Sequence, residues 1–491
     1  MQPKDIQPKI PTYVNNVADV LVANGYEAYL VGGAVRDIML DKQPKDFDLA
    51  TNALPEQIEK LFAKAITTNA RFGTVLVVME SRTGERFDVE VTTYRREEEY
   101  IGGRWPSKVE FTANIREDLS RRDFTINAIA INLQKIQEPS ANAEEVIIDP
   151  FGGQQDLQKK LIRAVGDPLE RFSEDGLRAY KAARLASELN FEIDSKTFEA
   201  IKQTLHIARK ISLERIRDEF KKLLYFSARP SVGIELLRVS GLLEIFLPEL
   251  LDTVGLMQPD WHDDDVYTHS LKTLDLAEDS IKVAALLHDI GKPKTKSDDE
   301  RGIHFYSHDV VGAQMVKEIL TRLKFPKGQI NRNVSLVRWH MFYYPSADWR
   351  KFNELGQLES DDAPEGPGGW TDGAIRRFIK NIGEDLIEDL FKLRIADATS
   401  NPKSSFKPME MEALEKRIAE VRSKDMVIKL SDLEIKGNDL IKLGITPGPL
   451  MGKVLNQLLE KVIDQPILNK KETLLKIASE LREGFKIDQQ S

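Results

Sequence analysis

Between residue 20 and about residue 135, apolar positions recur with the alternating period of strands, interrupted by stretches with a helical period. EAYLVG, DFDLAT, TVLVVME and RFDVEVTTY read as strands, PEQIEKLFAK as a helix, and RRDFTINAIAINL as helical or strand-bordering. This predicts a small α/β head, a mixed sheet with helices. From Leu157 to about residue 255 the pattern becomes that of amphipathic helices, clearest in LERIRDEFKKLL and GIELLRVSGLLEIF. Helical periodicity continues over 256–400, broken by the Gly/Pro/Asp-rich stretch ESDDAPEGPGGWTDG at 359–373. A last helical piece, 401–491, carries the turn-rich LGITPGPLMGKVL at 443–455. There is no internal repeat. The expected boundaries are 1–138 for the head, 139–255 for an all-α neck and body, 256–400 for a helical bundle and 401–491 for a helical tail.

A chain of 491 residues is too long for one hydrophobic core, which agrees with several domains. With 41% hydrophobic and 30% charged residues it has an ordinary globular composition. No apolar run approaches the roughly 18 residues of a membrane span, and MQPKDIQPKIPTYVNN lacks the apolar centre of a signal peptide. A cytoplasmic location without membrane partners is the resulting expectation. Zero cysteines exclude disulfides and thiolate metal sites, leaving imidazole and carboxylate as metal ligands. The net charge of −9 argues against a nonspecific nucleic-acid binder. Charge is nevertheless local: Lys202–Lys222, with Arg209, Lys210, Arg215, Arg217 and Lys221, is basic, and reads either as a solvated helix face or as a phosphate track.

The densest chemistry lies in YLVGGAVRDIMLDKQPKDFDLAT, residues 29–51. A strand runs into Gly32-Gly33, a short helix carries Arg36 and Asp37, and a second strand presents Asp46 and Asp48, which alternation puts on one face with Phe47 on the other. Glycine lets a backbone approach phosphate oxygens, and free amides at a helix start favour an anion. Two carboxylates beside such a turn suit Mg²⁺ and a triphosphate. Either element alone is weak, since glycine turns and acidic pairs are common.

Further motifs stand in order behind these: ARFGTV (70–75), VEVTTYR (89–95), RRDFTINAIA (121–130), DPFGG (149–153) and RFSEDGLR (171–178). With GGAVRD (32–37) and DFDLAT (46–51), their order and spacing resemble the class II tRNA nucleotidyltransferase and poly(A) polymerase family, more closely its CCA-adding branch. The resemblance implies a nucleotidyltransferase head, and makes Asp46, Asp48 and a third carboxylate the catalytic metal ligands. Asp88 and Glu90 share a strand face, and the resemblance selects Glu90, which opens EVTTYR. Arg36 is expected to meet the triphosphate, Arg121 and Arg122 to offer planar forks to phosphate or ribose oxygens, and Asp123 and Asn127 to order the site. Residues 96–111, with Gly102, Gly103 and Arg104, resemble the family's flexible loop, implied to take part in switching to ATP.

Glu174, Asp175 and Arg178 stand at helical spacing, so Asp175 and Arg178 would form one fork with Glu174 steadying the arginine. Cytosine and adenine both pair an exocyclic amine with a ring-nitrogen acceptor, which a carboxylate and a guanidinium match. Uracil and guanine present the opposite sense, so the fork would admit CTP and ATP and reject UTP and GTP. One departure from the family pattern is Lys181, where arginine is usual; lysine cannot make the same bidentate contact.

Six of the seven histidines lie between His262 and His340. LLHDIGKPK (286–294) resembles the signature of the HD phosphohydrolase superfamily. That resemblance implies an HD helical bundle with His269, His288, Asp289 and Asp397 as ligands of a divalent transition metal or Mg²⁺, while His308 and His340 would complete a two-metal site. His262 and His304 read as ordinary helix or surface histidines. The implied chemistry is metal-assisted hydrolysis of 2′,3′-cyclic or 2′ phosphates at RNA ends. LSDLEIKGNDLIKLGITPGPLMGKVLNQLLEKVI resembles the tail of HD-containing CCA-adding enzymes, with Lys453 near its turn glycines, and reads either as a tRNA phosphate site or as helical packing.

The function expected is template-independent addition of CCA to the 3′ end of tRNA from CTP and ATP with Mg²⁺, plus HD phosphoesterase activity. Alternatives are CC-only or A-only addition and a poly(A) polymerase; ARFGTV and the lack of a basic tail oppose the last. From another class, the chain would be an RNA-binding HD phosphohydrolase with an inactive head.

Overall fold

The structure is a computed structural model that describes residues 2–80, 84–101, 105–138, 140–259, 263–300, 302–342, 370–404, 408–424 and 427–487. The chain forms two compact units, Met1–Leu251 with Arg322–Lys324, and Asp252–Thr321 with Phe325–Ser491.

The first unit is built on strands β1 (Tyr29–Val31), β2 (Asp48–Thr51), β3 (Ala65–Ile66), β4 (Thr74–Glu80), β5 (Arg86–Thr93), β6 (Arg95–Ile101), β7 (Trp105–Phe111), β8 (Ala130–Asn132) and β9 (Ile147–Ile148). Seven of them make one mixed sheet in the order β3-β4-β5-β2-β1-β8-β9, parallel at β2/β5 and antiparallel elsewhere. The strands read from the apolar alternation are present. RRDFTINAIAINL resolves into a short 3₁₀ turn, Thr125–Asn127, followed by β8, so its strand-bordering reading holds. Tyr29, Val31, Ala50, Tyr94, Leu119 and Ala130 share one buried cluster, which ties β1 and β2 to the segment leading into RRDF.

The stretch that resembles the family's flexible loop takes the form of an antiparallel hairpin, β6 paired with β7 from Arg95↔Phe111 to Ile101↔Trp105. Gly102, Gly103 and Arg104 lie outside the described residues. Beyond the head, the chain continues in helices Pro168–Glu174, Leu177–Leu189 and Leu213–Phe226. Asp167 caps the first of these by accepting from Leu169 N at 2.8 Å, and Pro168 stands where a helix needs no amide donor.

The second unit is helical. Val266–Leu276, Lys282–Leu287, His308–Arg322, Lys327–Trp339 and Ile387–Ser400 form the bundle around the histidines. Helix Asp372–Ile382 packs on Pro449–Asp464 of the tail, where Arg376 Nη1 donates to Ile463 O at 3.0 Å. Among the described residues, no helix is long and apolar enough to cross a membrane.

Candidate functional site

The first site forms where β2 and β5 run side by side. Asp48 and Glu90 are direct partners in that parallel register. Asp46 stands just before β2 and is exposed, whereas Phe47 is buried against the edge of Tyr13. Burial, the Glu90 charge and the Asp46 charge push the Asp48 carboxyl up to about 6, against the lowering effect of Arg122. Three carboxylates gathered this closely repel one another, and a bound cation relieves that repulsion. Asp88 is drawn elsewhere: Arg86 holds it through two hydrogen bonds, at 2.8 and 3.1 Å.

Gly32 leaves β1 at φ 75°, and a Cβ there would meet Arg122 Nη1 at 3.0 Å and Asp48 Oδ2 at 3.6 Å. Only glycine fits at that close approach of backbone, guanidinium and carboxylate. Gly33 opens the helix Gly33–Met39 behind it. Arg122 Nε is buried without a hydrogen-bond partner, an orphaned donor next to the carboxylates that suits a phosphate oxygen. Arg121 and Arg122 are both oriented by Asp118, at 2.7 and 3.3 Å. Burial would raise the Asp118 carboxyl, yet the two guanidinium groups hold it below its ordinary range.

Arg36 departs from expectation. It is 8% exposed, and its guanidinium is committed to Asp37 at 2.8 Å and to Asn127 Oδ1 at 3.1 Å. Asn127 in turn donates to Asp123 at 3.1 Å, and Asp123 faces Lys181 at 3.7 Å. Arg36 is thus a brace beneath the site, one end of a polar chain in which the lysine at 181 has a defined partner.

The segment RFSEDGLR also differs in local geometry from the expectation. Glu174, Asp175 and Arg178 do not share one helix: the first helix ends at Glu174, Asp175 is extended (φ −141°, ψ 106°), and the next begins at Leu177. Arg178 pairs with Glu174 as expected, and donates to Arg171 O at 2.9 Å and to Arg121 O at 3.0 Å. Asp175 caps the second helix through Leu177 N at 3.0 Å and accepts from Arg215 Nη2 at 3.1 Å. Arg215, hidden in the sequence within the basic stretch, is 27% exposed at its side chain and anchors Asp175. Neither a solvated face nor a phosphate track describes it. Its distance of 40 residues from Asp175 left no local signal.

The second site lies wholly in the helical unit. His269, His288 and Asp289 form one group of converging ligand atoms, and Asp289, His308 and His340 a second, each within 4.8 Å. Asp289 belongs to both: Oδ2 lies 3.2 Å from His288 Nε2, and Oδ1 lies 3.4 Å from His308 Nε2 and 3.7 Å from His340 Nε2. Asp397 Oδ1 joins the first group, 3.0 Å from His269 Nε2 and 3.6 Å from His288 Nε2. The other nitrogen of every ring is engaged: Nδ1 of His288, His308 and His340 meets the carbonyls of Ala285, Phe305 and Val337, and His269 Nδ1 meets Ser400 Oγ. With Nδ1 engaged in this way, each Nε2 is turned toward the carboxylates of the cluster, the position from which it would ligate a cation after giving up any proton it carries. His304 stands apart, bonded to Asp299 at 3.1 Å, and His262 lies outside the described residues.

Gly291 explains the IG of the signature. A Cβ there would fall 2.2 Å from His308 O and 2.6 Å from Gly312 N, so only glycine lets His308–Arg322 close on the HD turn. Burial alone would lower the His288 imidazole, but Asp289 and Asp397 override it and push it up to about 10. Both carboxyls are held well below their usual range, burial being outweighed by the imidazoles, while burial lowers His340. This site opens into a cavity of about 410 Å³ also lined by Lys292, Arg394 and Lys403.

Family models match in the order of these elements: a poly A polymerase head domain over 28–163, a probable RNA- and SrmB-binding site of polymerase A over 190–253, an HD domain over 266–401 and a putative tRNA nucleotidyltransferase domain 2 over 383–478. A CCA-adding enzyme of Lactobacillus helveticus is 46% identical over 207 residues, 42% of this chain and 48% of that protein. One from Limosilactobacillus reuteri is 33% identical over 469 residues, 94% of each chain. The crystal structure of the Bacillus stearothermophilus CCA-adding enzyme in complex with CTP superimposes with a TM-score of 0.64 at 25% identity, over 96% of this chain and 98% of that one. On this evidence the chain belongs to the CCA-adding enzymes, nucleotidyltransferases, here with an HD domain in the helical unit.

Proposed function

We propose that this enzyme adds C, C and A in turn to the 3′ end of tRNA from CTP and ATP, with amino-acid side chains selecting the base, and that its HD cavity hydrolyses 2′,3′-cyclic or 2′ phosphates on RNA ends. The observation that carries the first part is the Asp48–Glu90 pair, set in register beside Gly32 and Arg122. Asp46, Asp48 and Glu90 would hold Mg²⁺, which supplies positive charge to the attacking 3′ oxygen and the departing pyrophosphate. Arg122, with its orphaned Nε, takes a triphosphate oxygen, and Arg121 keeps the loop in place through Asp118. Asp175 accepts from the exocyclic amine of cytosine or adenine and Arg178 donates to the ring nitrogen. A carboxylate oxygen accepts more than one hydrogen bond, so Asp175 reads the amine without releasing Arg215. Such an enzyme works in the cytoplasm, where its tRNA and nucleotides are.

The test is incubation with tRNAs ending at the discriminator base, at C and at CC, with each nucleotide alone. CTP should extend the first two and ATP only the third. CC-only or A-only addition would show as one missing step, and ATP chains beyond a single A would indicate a poly(A) polymerase. No extension at all overturns the reading in favour of an RNA-binding hydrolase.

The second part rests on Asp289 offering one oxygen to each ligand group. Four imidazoles with two carboxylates suit a divalent transition metal better than Mg²⁺. Lys292, bonded to Asp289 at 2.6 Å, and Arg394, bonded to Asp397 at 2.9 Å, set cationic donors beside the cavity for a phosphoester. Release of phosphate, or opening of a nucleoside 2′,3′-cyclic phosphate, should require the added divalent ion and vanish in Asp289→Ala.

A further inference from the structure

The HD cavity has a feature that hydrolysis of a phosphate group does not require. Its mouth is lined by Ile303, His304, Phe305 and Tyr306, at the end of the hairpin formed by strands Ser297–Asp299 and Gly302–His304. Tyr306 is 68% exposed, an unusual setting for a large aromatic ring beside a buried polar centre. It is not loose: its ring stacks on His304, centroids 5.2 Å apart and planes at 18°, and His304 is fixed by its hydrogen bond to Asp299 at 3.1 Å. Ser307 follows at φ 61°, a left-handed bend, and next to it His308 turns inward to the ligand cluster. Two residues apart, one side chain faces solvent at the mouth and the other the metal-ligating centre. The same cavity brings cationic Lys292 and Lys403 to its wall.

Resting on the hydrolase reading above, we propose that Tyr306, backed by His304, is a nucleobase subsite. The HD cavity then recognises the terminal, unstacked base of a single-stranded RNA end, and selects nucleotide phosphoesters over esters without a base. A flat aromatic platform accepts any base, because every base has a π-face. The phosphate occupies the cationic interior while the base lies over Tyr306 at the mouth. Phe305, whose ring lies 5.5 Å from Lys292 Nζ, holds the wall between the two subsites.

The test uses the full chain loaded with a divalent ion, with two five-membered cyclic phosphodiesters as substrates: adenosine 2′,3′-cyclic phosphate and propane-1,2-diol cyclic phosphate, which has no base. Tyr306→Ala should lower the ratio of kcat/KM between them about tenfold, mainly through KM for the nucleotide, and Tyr306→Phe should restore it. An unchanged ratio, including one in which both substrates weaken equally, overturns the subsite. If the unmodified protein hydrolyses neither ester, the hydrolase reading fails by itself. Binding of adenosine 2′-monophosphate against glycerol phosphate then decides the subsite: tighter nucleotide binding that Tyr306→Ala removes supports it, and equal binding overturns it.

Discussion

The Arg178 guanidinium donates to the Arg121 main-chain carbonyl at 3.0 Å, so the segment proposed to read the base is tied directly to the loop that carries Arg122. On that proposal, selection and phosphate binding share a support. Asp175→Asn should relax the preference for CTP and ATP, because a wrong base leaves fewer polar groups unpaired, a difference of about 1–3 kcal/mol or roughly 5- to 150-fold. Arg178→Lys should lower kcat as well, since it also loosens residue 121. Relative kcat/KM for the four nucleotides on a truncated tRNA measures both; unchanged selectivity in Asp175→Asn would contradict the assignment.

Asp48 affects stability through its charge. Its folded carboxyl titrates at about 6, above the ordinary carboxylate range, so its contribution to stability is complete below about pH 4 and is lost as pH rises through 6. Above that the metal-free protein carries an unfavourable charge. Asp48→Asn should then be about 1–2 kcal/mol more stable than the parent in EDTA at pH 7.5, discounting for partial solvent access, with the difference gone near pH 4. Urea unfolding at the two pH values checks it. Adding Mg²⁺ should stabilise the parent and not the variant.

His288 gives the second site a proton to lose. Held up to about 10 by Asp289 and Asp397, it is charged at neutral pH, and a ligating nitrogen must be deprotonated. Cation uptake by the HD site should release about one proton per site, and affinity should rise with pH. Titration calorimetry in buffers of different ionisation enthalpy counts that proton, and a buffer-independent heat would sink the expectation.

The two sites have no residue in common, so their activities should separate. Asp46→Ala is expected to abolish nucleotide incorporation and retain phosphoester hydrolysis, and His288→Ala with Asp289→Ala the reverse. Parallel assays on each purified variant read this out, and loss of both activities in the double variant would mark the bundle as structural support.

Gly291→Ala should cost the HD activity nearly as completely as loss of a ligand, because the new methyl group would sit 2.2 Å from His308 O. Incorporation at the head should persist. Metal content of the dialysed protein tests it: a full complement in the variant would mean that the helices tolerate the gap.

The head sheet and both carboxylate sites were legible because strand alternation and the HD signature act over a few residues. The choice of Glu90 over Asp88 needed the resemblance, and its reason is the cross-strand register with Asp48, a nonlocal fact. Reading Glu174 to Arg178 as one helix failed because spacing cannot show that Asp175 breaks the helix to cap the next. The pairing of β6 with β7 within 95–111 was not legible, because a ladder depends on cross-strand partners rather than on local residue type. The bracing of Arg36 was hidden for a similar reason: its partner Asn127 lies 91 residues away.

Three of the four imidazoles at the HD site donate their orienting hydrogen bond from Nδ1 to a carbonyl three residues earlier in their own turn, at Ala285, Phe305 and Val337. Ring orientation at those positions is written into the path of the main chain. The hydrogen bond itself makes no demand on the side chains at 285, 305 and 337, whereas His269, steered by the Ser400 hydroxyl, depends on the identity of a distant residue.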